Sequence, residues 1–347
     1  CYGRGGVAPT VTDANLLLGY LDPAYFLGGT MPLDTAAARD AMRRAVAGPL
    51  GVDELRAAWA VCAVADEHTA DAIRVHVAER GKDVRALDLI AFGGAGPLHA
   101  ERVARALGIR RVIVPYGAGA AASLGFLLAP VSFDFSWSSP RLLAALDAAE
   151  VAGRYREMER QGAALLAEAG VPRDEASLER SCAMRYAGQG YEIEVPLPAA
   201  GPRSLSPAAL LEAFEAVYSR LYGRTNPRAE VETVTWRLLA RGPRPDVRLR
   251  HPQTASNGDG TGTGSTDDGA RRGHRPAYDP ATRAPVPFAV YDRGALRPGD
   301  SFAGPALIRE RESTTVAGPG SAVEVDQDLN LRLLVPAGAG RGGPGVV

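Results

Sequence analysis

Lysine is almost missing from this chain: Lys82 is the only one in 347 residues, while arginine is abundant. No P-loop lysine is available, and Lys82 is the sole candidate for Schiff-base chemistry. Cysteine is scarce too. Cys1, Cys62 and Cys182 are far apart and odd in number, which rules out a disulfide framework or a Cys-x-x-Cys metal knuckle and fits a reducing cytoplasm. No run of 18 apolar residues occurs, and the opening Cys-Tyr-Gly-Arg-Gly-Gly has no charged segment followed by an apolar one, so neither a membrane span nor a signal peptide is read. Net charge is scarce as well, at −1 with the signs interspersed, which leaves no footprint for nucleic acid or an anionic membrane.

What is present is a chain 46% hydrophobic and long enough for two domains with buried cores. The richness in Arg, Ala, Gly and Pro reads as the codon composition of a high-GC genome. The chain opens on Cys1 inside a glycine-rich loop, an odd place for a domain to begin, and the expectation is that sequence upstream has been lost.

Residues 34–47 and 53–79 carry helical spacing, the second stretch capped by Asp53 and stopped by Gly81. Leu87 to Phe92 is expected to be a buried strand, Gly93 to Gly96 a tight turn, Pro97 to Leu107 a helix and Arg111 to Pro115 a second buried strand. This βαβ unit implies a parallel sheet buried on both faces in an α/β domain. A short helix through Ser123 to Leu128 and an amphipathic helix over 141–168 follow. Beyond them the pattern turns mostly to strands: a hairpin around Gly188-Gln-Gly190, a helix at about 206–222, a strand at 229–240 and three β-rich stretches between 286 and 335. The expected organisation is an α/β lobe over 1–140, a helix and hairpin region over 141–251, a disordered insertion over 252–275, a β-rich region over 276–336 and a flexible tail over 337–347.

The strongest chemical signal is Phe92-Gly-Gly-Ala-Gly-Pro-Leu-His-Ala100 at a strand-to-helix turn. Glycine there lets a ligand approach backbone, and free N–H groups at a helix start favour an anion or nucleotide, which makes Gly93, Gly94, Ala95 and Gly96 the candidate cofactor-binding residues. The dinucleotide fingerprint fails because its third glycine would fall on His99. A plain βα connection is the competing reading. His99, on the first helical turn, is placed to polarise a carbonyl or accept a proton, with a packed histidine as the alternative. Asp13 is the second candidate catalytic residue, although Asp in Pro9-Thr-Val-Thr-Asp-Ala-Asn15 also suits helix capping. His68 and His76 lie two turns apart, outside the i, i+4 chelate pattern, and no metal site is read. Arg185, Tyr186, Gln189 and Glu192 read as cross-strand partners around the hairpin.

Cys1-Tyr-Gly-Arg-Gly-Gly6, Pro9 to Asn15, Tyr25-Phe-Leu-Gly-Gly29, Ala91 to Ala100 and Arg185-Tyr-Ala-Gly-Gln189 together resemble the hydantoinase A/5-oxoprolinase family, in the order of the C-terminal half of its subunit. The resemblance implies an α/β lobe of an acetate-kinase/sugar-kinase/Hsp70/actin-like ATPase core, followed by a mixed, mostly β region. It implies ATP and Mg²⁺, bound mainly by an N-terminal half that this chain lacks, a hydantoinase B-type partner subunit and a small cyclic amide substrate whose ring carbonyl is activated by phosphorylation. The Gly93 to Gly96 turn would match the adenosine side of the nucleotide site. Where family members commonly carry Thr-Glu after the first glycines, this chain has Val7-Ala8, and His68-Thr69 replaces the usual Asn and Met. An acetone- or acetophenone-type carboxylase subunit and a fragment that only binds its partner are the alternative functions; a nicotinamide oxidoreductase is disfavoured by the failed fingerprint.

Overall fold

A computed structural model of the chain describes residues 1–198, 205–246 and 269–336. It divides into two compact units, Cys1–Gly125 with Leu249–Val347, and Phe126–Arg248. By its internal contacts the first compact unit ends at Gly125 and takes in the C-terminal strands. The expected tail over 337–347 and residues 252–268 of the expected insertion lie outside the described residues.

The helices and strands of the first unit begin with α1 (Val11–Leu17), α2 (Thr35–Met42), α3 (Gly48–Leu50) and α4 (Glu54–Ala78). A π-helical turn at Arg43–Ala47 joins α2 to α3. Then come β1 (Leu89–Ile90), α5 (Gly96–Leu107), β2 (Arg111–Val114) and α6 (Ala121–Leu128). The second unit supplies β3 (Ser132–Leu142), α7 (Ala148–Glu168), β4 (Ser177–Tyr186), β5 (Ile193–Leu197), α8 (Pro207–Tyr222) and β6 (Val231–Arg241). The chain then re-enters the first unit with β7 (Arg271–Asp279), β8 (Ala284–Asp292), β9 (Ser301–Ala303), β10 (Ala306–Arg309), β11 (Thr314–Ala317), β12 (Ala322–Val325) and β13 (Leu331–Leu334). Residues 271–275, expected within the disordered insertion, are the start of β7.

The first unit is mixed α/β with two sheets, ordered β1-β2-β13-β12-β9 and β11-β10-β8-β7. The expected βαβ unit is present, with Leu89 and Ile90 parallel to Val112 and Ile113 across α5. The all-parallel sheet is not. β13 pairs antiparallel with both β2 and β12, because a short connection after β12 returns the chain as a hairpin, leaving β1-β2 as the parallel pair of that sheet. Nor is the strand expected at Leu87 to Phe92 long and buried. It shrinks to two residues at a sheet edge, where one face lacks cover and Ile90 stays 58% exposed.

One apolar core of this unit mixes Val103, Leu107, Val112 and Val114 with Ile308, Val323, Leu331 and Leu333. The other packs α1, α2 and α4 through Leu18, Met42, Ala58 and Cys62 against Tyr278, Phe288 and Leu307. The end of α1 is fastened to β7: Tyr278 donates its amide to the Leu18 carbonyl at 2.8 Å, and the Tyr20 hydroxyl donates to the Tyr278 carbonyl at 2.7 Å. Gly19, between them, has φ +77°. A Cβ there would sit 2.4 Å from the Pro276 carbonyl oxygen, so glycine is required on both counts.

In the second unit the four strands run antiparallel in the order β3-β6-β4-β5, and α7 and α8 cover them. The hairpin expected around Gly188-Gln-Gly190 is β4-β5. Arg185 pairs with Glu232 across β4 and β6 at 2.6 Å, and Gln189 donates to the Tyr218 hydroxyl at 2.9 Å. The helix expected over 141–168 starts late, at Ala148. β3 continues to Leu142, and the Asp147 carboxylate accepts the amides of Ala149 and Glu150, which is where an N-cap sets the helix start.

Candidate active site

Three helices of the first unit bring a buried polar network together. α4 is a long helix whose buried stripe runs Ala58, Cys62, Asp66, Ala70 at four-residue spacing, so Asp66 is carried inward by an otherwise apolar face. α5 presents His99 and Arg102 on one face, and α1 presents Asn15. Asp66 Oδ1 lies 2.5 Å from His99 Nδ1, and Arg102 Nε donates to Asp66 Oδ2 at 2.5 Å. Arg102 Nη2 stands 3.0 Å from the same His99 nitrogen. With Nδ1–H donating to Asp66, Nε2 is left as an acceptor, and the Asn15 amide lies 3.0 Å from it. Asn15 is itself fixed by donating to the Val11 carbonyl at 3.0 Å and by the Cys62 thiol at 3.7 Å from its Oδ1.

Burial opposes the Arg102 charge, yet Asp66 beside it more than compensates and holds the guanidinium above its ordinary pKa. The same guanidinium lies over the rings of Tyr20 and Trp59, 5.2 and 5.8 Å from their centroids. Burial pushes the Cys62 thiol up to about 12, which makes it an inert packing group rather than a nucleophile. Asp66 and its neighbours therefore lock the His99 ring in one orientation, as a carboxylate does for a histidine that handles protons.

His99 and Asn15 line a cavity of about 260 Å³ in the first unit. Gly94 and Ala95 of the turn before α5 also line it, as do Asp22, Arg275, Arg309 and Ser313. Gly93, at φ +86°, turns the chain and donates to the Ala118 carbonyl at 2.7 Å. Gly94 is packed closely enough that a Cβ would come within 3.3 Å of the Glu312 carbonyl oxygen. α5 begins at Gly96, one residue before Pro97.

The remaining sequence candidates are placed apart from this constellation. Asp13 stands at the third position of α1 and completes a capping box. Its Oδ2 accepts the Thr10 amide and hydroxyl, each at 2.7 Å, and its Oδ1 accepts the Cys1 nitrogen at 2.7 Å. His68 and His76 are exposed on α4. Among the described residues no group of three His, Cys, Asp or Glu side chains is placed to hold a metal ion, and no helix is long and apolar enough to cross a membrane. Asn15, Asp66 and Arg102 were not singled out for a site role by sequence reasoning. The signal for Asp66 was a carboxylate at the i+4 position of an apolar stripe, a pattern that demands a buried partner.

Residues 1–135 match the family described as Hydantoinase/oxoprolinase, and residues 142–334 match the Hydantoinase/oxoprolinase C-terminal domain. The caprolactamase subunit alpha of Pseudomonas jessenii is 31% identical over 341 residues, an alignment covering 96% of this chain and 47% of that protein. Among solved structures, an ATP-dependent caprolactamase from Pseudomonas jessenii superposes with a TM-score of 0.67 at 30% identity, over 96% of this chain and 48% of that one. The nucleotide-free structure of an acetone carboxylase, from work on ATP-dependent acetone carboxylation, gives a TM-score of 0.67 at 26% identity, over 96% and 47%. The chain spans about half the length of these relatives. Matched by the two family descriptions over nearly all of its described residues, this chain belongs to the hydantoinase/oxoprolinase family.

Proposed function

We propose that the chain is part of an ATP-dependent enzyme subunit that opens a small cyclic amide, with the cavity beside Gly94, Ala95 and His99 as its share of the active site. The observation that carries this is the convergence of a strand-to-helix turn, an aspartate-oriented histidine and three arginines, Arg275, Arg309 and Arg311, on one cavity. The ATP dependence of both structural relatives supports the nucleotide. ATP supplies the phosphoryl group that makes a ring carbonyl oxygen a good leaving group. This chain's own part is to seat the adenosine side of the nucleotide against Gly93 to Gly96, to orient the substrate and to manage a proton at His99 Nε2 once Asn15 yields its hydrogen bond. Asp13 is assigned to the start of α1. The turn suits a nucleotide's edge, while among the described residues no group of carboxylates is placed to hold Mg²⁺, which would be held by other parts of the full subunit.

The same reading takes the first unit as a lobe of an acetate-kinase, sugar-kinase, Hsp70 and actin type of ATPase core, supported by the β1-α5-β2 crossover and its glycine turn. It also assigns a hydantoinase B-type partner and a cytoplasmic setting, the partner supported by relatives that are themselves subunits. A carboxylase is the second reading, favoured by the equal structural likeness to the acetone carboxylase. The test is ATP-dependent phosphate release by the full subunit with its partner, offered caprolactam, hydantoin or 5-oxoproline in one series and acetone with bicarbonate in the other. Stimulation by a cyclic amide, lowered by Gly94→Val in a variant that still folds, is expected. Stimulation by the second series alone would transfer the assignment to carboxylation, and none by either would leave a chain that only binds its partner.

A further inference from the structure

Away from the glycine turn, the cavity lining holds charge that its own neighbours do not balance. Arg275 is fully engaged: it donates to the carbonyls of Gly19 and Tyr20 at 3.0 and 3.2 Å and pairs with Asp22 Oδ2 at 2.9 Å. Arg309 is not. Its Nη1 is 3.9 Å from the same Asp22 oxygen, its guanidinium lies 4.1 Å from the centroid of Tyr25, and its Nε is buried with no hydrogen-bond partner among the described residues. Glu310 is taken by Arg293 at 3.2 Å, and Glu312 lies 3.5 Å from Arg311. Two guanidiniums therefore share one carboxylate. A few residues on, Ser313 is only 7% exposed, and its hydroxyl is also buried without a partner among the described residues. Buried donors without acceptors are costly, and their concentration on one cavity wall marks a place for a missing acceptor.

We propose that Arg309 and Ser313, braced by Arg275 and Tyr25, form an oxyanion-binding site in this cavity. A carboxylate or a phosphate presents the paired oxygens that a guanidinium edge and a hydroxyl satisfy together, and its charge balances the second arginine. The Tyr25 ring lies against the Arg309 guanidinium, and Asp22 and the Gly19 and Tyr20 carbonyls occupy Arg275, so that Arg309 is the group that meets the ligand. The inference deepens the functional reading above, since the oxyanion would belong to the ligand seated beside His99. Its source is either a carboxylate on the cyclic amide or a phosphate of the nucleotide.

Binding without turnover separates the two sources and keeps the test independent of ATP chemistry. Calorimetry on the full chain would compare 5-oxoproline, its carboxylate-free counterpart 2-pyrrolidinone, and inorganic phosphate. At least one of the two anions should bind about tenfold or more tightly than 2-pyrrolidinone. Arg309→Lys, which keeps the charge but not the fork, should remove most of that advantage, and Ser313→Ala should lower it several-fold while leaving the thermal melt in place. Dependence on Arg309 for 5-oxoproline assigns the site to a substrate carboxylate, and dependence for phosphate alone assigns it to the nucleotide. If neither anion's affinity responds to Arg309→Lys or Ser313→Ala in folded protein, the proposal is wrong. A subunit that shows this binding but no ATP-dependent turnover would overturn the functional reading and leave the oxyanion site standing.

Discussion

At the scale of single residues, Asp66 does two jobs that substitution can separate. It holds the His99 ring and it neutralises Arg102 in a largely buried setting. Asp66→Asn strands the arginine charge, and equilibrium urea unfolding should show a loss of about 3–5 kcal/mol. His99→Gln leaves the Asp66–Arg102 pair in place. Its stability should change far less, while turnover of the full subunit should fall about 10²-fold or more if the ring handles a proton. A stability loss for His99→Gln equal to that of Asp66→Asn would show a purely structural histidine.

Asp13 gives a prediction about the start of α1. Its carboxylate accepts the amide and hydroxyl of Thr10 and completes the capping box. Asp13→Asn should therefore cost about 1 kcal/mol in denaturant melts at pH 7. A stability unchanged from the parent protein would mean that the box does not hold α1 in place.

At the scale of elements, what could be read in advance was what is local. Asp53 and the apolar spacing behind it announce α4, and Gly108, left-handed at φ +73°, closes α5 as the sequence implied. β3 carries the strand-like alternation of Phe133, Phe135 and Trp137, but it runs on to Leu142, into the stretch whose spacing reads as helical, so local pattern alone does not place its end. The direction of β13 was beyond local reading altogether, since its partner β2 lies far away in sequence and pairing is decided by packing. The site shows the same division: the glycine turn and His99 were visible, while Arg309 and Ser313 meet them only through the fold. One junction between elements can be tested directly. Gly19→Ala adds a Cβ against the Pro276 carbonyl at a positive φ and should lower stability by about 2–4 kcal/mol. A thermal melt unchanged from the parent would show that the α1–β7 junction can relax.

At the scale of the whole molecule, the two units differ in how the chain supplies them. The core of Phe126–Arg248 is built from its own residues, among them Tyr155, Met184, Phe214 and Trp236. The first unit draws its core from both sides of that stretch. An excised 126–246 fragment should therefore unfold cooperatively in denaturant, whereas residues 1–125 alone should show no such transition. A sharp transition for the 1–125 fragment would contradict this.

The pairing of Val114 with Leu331 also sets a timetable for synthesis. At roughly 5–20 residues per second, β2 leaves the ribosome on the order of ten to forty seconds before β13 exists to cover its free edge. In that interval the intervening unit can complete its own antiparallel sheet, while β2 and α5 remain half a domain. A nascent chain stalled before residue 331 should for that reason hold chaperones on its first segment and release them from its middle one.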